Sequence, residues 1–79
     1  MTRNQVLEEL TPLIRELTRS APDDIAPAHH LENDLDLDSL TQMDLVSSLE
    51  RHFSIKVLDA ELTGLHTVGD LVDLVVGKV

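Results

Sequence analysis

Apolar residues in this chain return at intervals of three and four in three separate blocks, and that spacing restricts the fold to packed helices. The first block is Val6, Leu7, Leu10, Leu13, Ile14 and Leu17. The second is Leu40, Met43, Val46, Leu49 and Phe53, with Leu45 beside them. The third is Val68, Leu71, Val72, Val75 and Val76. Strand-like alternation surfaces once, at Ile55, Val57 and Leu58, and no second segment offers it a partner. Residues 54–58 therefore read as extended loop.

Local signals place the helix ends. Thr2 and Gln5 form a capping box for the first helix, and Thr67 and Asp70 form one for the last. Pro12 lies inside the first block, where it removes a backbone bond, so a kink is expected there, or a break with Thr11 capping a second segment. Ser20-Ala21-Pro22 ends that pattern. Asp38 reads as the N-cap of the second helix, which begins at Ser39. Asp59 to Thr63 reads as one short helix ended by Gly64, and Gly77 as the stop of the last helix. Between the first two helices, residues 22–37 form a long connection, a length that is often functional in a small domain. Ile25, Leu31, Leu35 and Leu37 are its expected anchors in the core. The expected fold is all-α: a single domain over residues 1–79, a small four-helix bundle of three main helices and one short one, with a long first loop.

Composition narrows the function. With 79 residues the chain forms one modest core and no enclosed catalytic cleft. It has no cysteine, which excludes disulfides and thiolate zinc sites and fits a reducing compartment. The formal charge is -9, and the eight acidic residues between positions 22 and 50 face no lysine or arginine there. Such a surface repels nucleic acid and anionic lipid and suits a basic patch on another protein. No export signal or membrane-spanning run is present, so a cytoplasmic monomer is expected.

Three constellations bear on chemistry. Asp34-x-Asp36-x-Asp38 resembles the start of a calcium loop, but Ser39 and Leu45 stand where glycine and a bidentate glutamate are required. A hydrolytic triad of Ser39 with an aspartate and His29, His30, His52 or His66 has neither a nucleophile elbow nor an oxyanion cradle. No catalytic or metal-binding residue is therefore expected. The third is Ser39 itself, at the start of the strongest helix, after the long loop and within the acidic segment. A helix N-terminus stabilises an attached phosphate through unpaired backbone N–H groups and the dipole. Ser20 closes a helix, and Ser47 and Ser48 lie mid-helix where the N–H groups are already bonded.

Leu35-Asp36-Leu37-Asp38-Ser39-Leu40 resembles the attachment motif of the acyl carrier proteins, usually L-G-x-D-S-L. The similarity continues through Asp44-Leu45-Val46, Leu49-Glu50, Phe53 and Val57-Leu58-Asp59, and ends with Thr67-Val68-Gly69-Asp70-Leu71. It implies a four-helix bundle with a long first loop. It also implies that Ser39 carries 4′-phosphopantetheine, transferred from coenzyme A by a separate phosphopantetheinyl transferase, and that the chain has no catalytic activity of its own. Asp38 then orients the modifying enzyme or caps the helix. Two residues depart from the pattern: Asp36 replaces the usual glycine, and Arg51 adds a positive charge to the second helix.

The expected function is the carriage of acyl intermediates as thioesters in a polyketide, fatty-acid-like or other specialised pathway. The alternatives are an aminoacyl or peptidyl carrier and a non-carrier acidic adaptor. The start at Met1 and the end just past the last helix look like a free-standing carrier. Expected partners are the transferase and acyl-loading and acyl-processing enzymes with basic docking surfaces. Asp38, Leu40, Met43, Asp44 and Glu50 are the expected contacts, an apolar spot rimmed by acids. Met43 fits the core and the surface equally well.

Overall fold

A computed structural model describes residues 1–79. Four helices follow in order: α1 (Arg3–Leu17), α2 (Ser39–Phe53), α3 (Asp59–Leu62) and α4 (Val68–Lys78). No helix is long and apolar enough to cross a membrane.

Both capping boxes form. The Thr2 hydroxyl accepts the Gln5 N–H at 3.1 Å, and the Gln5 side-chain Oε1 accepts the Thr2 N–H at 2.9 Å. At α4 the Thr67 hydroxyl accepts the Asp70 N–H at 3.1 Å, and the Asp70 carboxylate returns a bond to the Thr67 N–H at 2.9 Å. Of the two outcomes expected at Pro12, a kink or a break, the break does not occur: α1 is continuous with Pro12 inside it. Pro12 is exposed, so the helix loses its bond on a side open to water. Thr11 caps nothing; its hydroxyl donates to the Leu7 carbonyl at 2.8 Å. Gly77 does not stop α4, which runs one residue further to Lys78. Gly64 follows α3 without a positive φ, so the left-handed glycine stop is absent there too. Residues 54–58 pair with no strand, as expected.

The core is a cluster of thirteen buried apolar residues. α1 supplies Val6, Leu10 and Ile14, and α4 supplies Val68, Leu71, Val72 and Val75. α2 supplies Leu45 and Leu49 alone. Leu40 and Met43 were among its apolar repeat, yet they are 75% and 60% exposed. The balance comes from the first loop, whose Ile25, Leu31, Leu35 and Leu37 are all buried. Burying each is worth about 1.5–3 kcal/mol relative to exposure. That is enough to hold a segment with little regular structure as a layer of the core.

The loop is also tied by polar groups. The Thr18 hydroxyl donates to the Leu35 carbonyl at 2.7 Å. The Arg15 guanidinium donates to the Asp23 carbonyl. The Asp34 carboxylate accepts the His30 N–H at 2.6 Å, and Leu37 N–H returns to the Leu31 carbonyl at 2.9 Å. These bonds fold residues 31–35 into consecutive turns that deliver the chain to Asp38.

Candidate functional site

The loop and α2 meet at Asp38. Its carboxylate accepts the Thr41 N–H at 2.8 Å, and its carbonyl accepts the Gln42 N–H at 2.8 Å. The Gln42 amide donates to the Leu37 carbonyl at 2.8 Å and locks the same corner from the side. The Asp38 carboxyl is held below its ordinary pKa, first by the Thr41 N–H, then by the Thr41 hydroxyl, with a smaller contribution from the Leu40 N–H. Asp38 is therefore a capping residue with a stabilised negative charge.

Ser39 is the first residue of α2 and is exposed. Its backbone N–H belongs to the open first turn of the helix, where no intrahelical acceptor exists. The other serines lack this setting. Ser20 follows α1, Ser47 and Ser48 lie within α2, and Ser54 ends α2 in a left-handed conformation at φ 55°. A phosphodiester fits the Ser39 hydroxyl on these grounds: it is accessible, it stands at the positive end of a 15-residue helix, and it is not used by the fold.

Two residues before the cap, Asp36 has φ 56°. This is the left-handed region, which glycine enters without cost and aspartate enters more readily than most residues. The backbone at this position keeps a shape suited to the glycine of the L-G-x-D-S-L pattern while the side chain departs from it.

A cleft of about 240 Å3 opens beside Ser39. Met43 and Val46 of α2 line it together with Leu62 and Leu65, and the buried Leu31, Leu45 and Leu71 line its deep end. It is smaller than the roughly 300–1,000 Å3 of sites for drug-sized ligands, so it suits a short apolar segment. Leu62 and Leu65 escaped the reading of the sequence. The one available signal was a pair of leucines three apart beside a helix too short to show a face.

The expected contact residues fall into two groups. Leu40, Met43 and Asp44 are exposed on α2 beside Asp38 and Ser39. Glu50 is half-buried, and its carboxylate accepts the Val57 N–H at 3.0 Å, tying the extended segment to α2. It is thus occupied in the fold. The four histidines do not gather around Ser39: His29 accepts the Ala26 N–H through Nδ1 at 2.9 Å, and His52 Nε2 lies 2.9 Å from Glu9 Oε1. The carbonyls of His29 and His66 accept N–H groups across the joint between the loop and α4, and the His30 carbonyl accepts those of Asp34 and Leu35 within the loop.

Comparison with known proteins agrees with this geometry. A family model described as a phosphopantetheine attachment site matches residues 8–75. The meromycolate extension acyl carrier protein of Mycolicibacterium smegmatis is 34% identical over 71 residues, covering 90% of this chain and 72% of that protein. Its counterpart in Mycobacterium tuberculosis is 33% identical over 72 residues, covering 91% of this chain, which spans 63% of that protein's length. The acyl carrier protein of Acidothermus cellulolyticus is 32% identical over 75 residues, covering 95% of this chain and 89% of its own. The crystal structure of an acyl carrier protein from Thermotoga maritima shares the fold, with a TM-score of 0.83 at 24% identity over 96% of this chain and 88% of that one. A carrier bundle, an attachment-site match over most of its length and curated relatives above 30% identity converge on one assignment: the chain belongs to the acyl carrier proteins, whose prosthetic group is 4′-phosphopantetheine.

Proposed function

We propose that Ser39 carries the 4′-phosphopantetheine, and that the protein presents acyl intermediates as thioesters to the enzymes of a fatty-acid-like pathway. The observation that carries this reading is the Ser39 hydroxyl, exposed on the first residue of α2, beyond a cap that Asp38 already completes. When bound, the group supplies a thiol, which a chain without cysteine lacks. The residues around it do the rest. Asp38 holds the first turn of α2 in place, and the acids near Ser39 favour an arm that projects from the surface. When the arm folds back, the apolar cleft beside the serine offers a short acyl segment shelter from water. Tethering raises the effective concentration of the cargo at each partner enzyme, which performs the chemistry.

The transferase and acyl-processing enzymes are the partners of this reading. They dock with basic surfaces around Asp38, Leu40, Met43 and Asp44, and the site of action is the cytoplasm. Names of the curated relatives, among them carriers of meromycolate extension, favour hydrocarbon chain extension over a polyketide or peptidyl role.

Incubation with coenzyme A and a broad-specificity phosphopantetheinyl transferase, followed by intact mass and peptide mapping, tests the assignment. One added phosphopantetheinyl group on the peptide containing Ser39, absent from Ser39→Ala, is expected. Equal gain in Ser39→Ala, or no gain in folded wild type with several active transferases, would overturn it.

A further inference from the structure

One wall of the cleft is held differently from the others. Residues 58–65 include α3, which buries no side chain, and supply Leu62 and Leu65 to the lining. The segment is pinned at both ends. Val57 is buried before it and bonded to Glu50, while behind it the His66 carbonyl accepts the Leu31 N–H at 3.0 Å and the His66 N–H donates to Asp70 at 2.9 Å. Between these pins the backbone bonds are all local: Glu61 to Leu58, Gly64 to Glu61 and Leu65 to Leu62. The Thr63 hydroxyl likewise donates locally, to the Ala60 carbonyl. One polar contact joins the segment to the rest of the bundle. Lys78 Nζ, in the last turn of α4, lies 2.9 Å from Glu61 Oε1, with both side chains partly exposed.

We propose that the Glu61–Lys78 pair is a strap that sets how far the α3 wall stands from α2, and so how large an apolar guest the cleft beside Ser39 admits. The proposal rests on the carrier reading for the guest being an acyl chain; the strap itself is a property of the fold. Glu61 holds two positions at once, because the same carboxylate oxygen accepts the Leu58 N–H at 3.0 Å and so fixes the entry to α3. The Glu61 carboxyl is held below its ordinary pKa, first by that Leu58 N–H and then by Lys78, so it is charged at neutral pH. Beside the apolar packing of Leu65 on the core, this pair is the wall's one attachment between the two pins, so its loss loosens the wall. Leu62 and Leu65 then move off Met43 and Val46, and the cleft widens without disturbing Leu45, Leu49 or α4.

Hydrogen exchange on the unmodified protein tests the strap, with Lys78→Met removing the charge and Lys78→Arg keeping it. In Lys78→Met the amides of Glu61, Gly64 and Leu65 are expected to exchange about two- to five-fold faster, the scale of one partly exposed ion pair. Those of Val72 and Val75 should keep their wild-type rates, and Lys78→Arg should behave as wild type. Nile red, an uncharged apolar dye, reports the cleft in the same samples, and Lys78→Met should bind it about two- to five-fold more tightly than wild type. Unchanged exchange at Glu61, Gly64 and Leu65 overturns the strap, as does a rise shared equally by Val72 and Val75. Faster exchange with unchanged dye binding overturns the link to the cleft. These readouts need no attached arm, so their failure is distinct from a failure of Ser39 to be modified.

Discussion

The N–H of Gly69 donates to the carbonyl of Pro27 at 2.9 Å, and a Cβ on Gly69 would stand 3.1 Å from that oxygen and 3.3 Å from the Pro27 Cβ. The first turn of α4 is thus docked edge-on against the first loop. Two further bonds join the same surfaces, Val68 N–H to the His29 carbonyl and Leu31 N–H to the His66 carbonyl, both at 3.0 Å. Gly69→Ala should therefore destabilise the protein by about 1 kcal/mol, although alanine is the better helix former by a similar amount. A lower urea midpoint checks this; a rise would mean that the loop gives way at no cost.

Asp36 supports the opposite kind of substitution. Its left-handed backbone costs an ordinary residue about 1–2 kcal/mol and aspartate somewhat less. Glycine removes that strain but gains entropy in the unfolded chain. Asp36→Gly should stabilise by about 0.5–1 kcal/mol, a rise of a few degrees in melting temperature for a domain of this size. Asp36→Ala should give no rise. Thermal melts of both variants decide whether the backbone shape or the removal of a charge is responsible.

Acid should act through the caps. The Asp70 carboxyl is held below its ordinary pKa, first by the His66 N–H and then by the Thr67 N–H. The native state therefore binds fewer protons than the unfolded chain in the carboxylate range. The resulting stabilisation is full above the unfolded value, about 3.9, and disappears as pH falls through the lower folded value. Asp70→Asn should cost about 0.5–1 kcal/mol at pH 7, the scale of an exposed charge at a helix start. Urea midpoints from pH 7 to 3 should show the two proteins converging at the acid end. A gap that stays constant across this range would place the effect elsewhere.

The two acids on α2 should separate recognition from folding. Asp44 is exposed and engages no group in the chain, whereas Glu50 holds the Val57 N–H. Asp44→Lys should slow association with the transferase roughly ten-fold at low salt and leave stability within about 0.5 kcal/mol. Glu50→Lys should lower the melting temperature whether or not it slows association. Stopped-flow binding beside thermal melts reads both. An unchanged rate for Asp44→Lys at low ionic strength removes it from the interface.

Much of this was legible because it is local. Thr2 with Gln5 and Thr67 with Asp70 form reciprocal pairs three residues apart, and Asp38 caps the helix that follows it directly. The four anchors of the first loop were also recoverable, because an isolated leucine or isoleucine in an otherwise polar segment has few other uses. What escaped depends on distance across the bundle. Pro12 lies inside a continuous α1 on a side that faces water, which no local pattern states. Glu50 reads as one more surface acid until the Val57 N–H is brought to it from seven residues away. The walls of the cleft come from α2 and from residues around α3, and the periodicity of either alone does not reveal the space between them. Leu40 reads as a partner contact and Met43 as either core or surface; both are exposed, and the buried leucines of the first loop complete the interior.

That substitution of loop for helix has an evolutionary consequence. In most bundles the residues that a helix shows to a partner are constrained by neighbours that must also pack. Here α2 packs through Leu45, Leu49 and the half-buried Phe53, on the side away from Leu40, Asp44, Ser47 and Arg51. The outward face can drift, invert its charge or exchange methionine for another residue while the interior stays intact. Substitutions at Leu40, Asp44, Ser47 or Arg51 thus alter what α2 shows to solvent and leave the thirteen-residue core as it is.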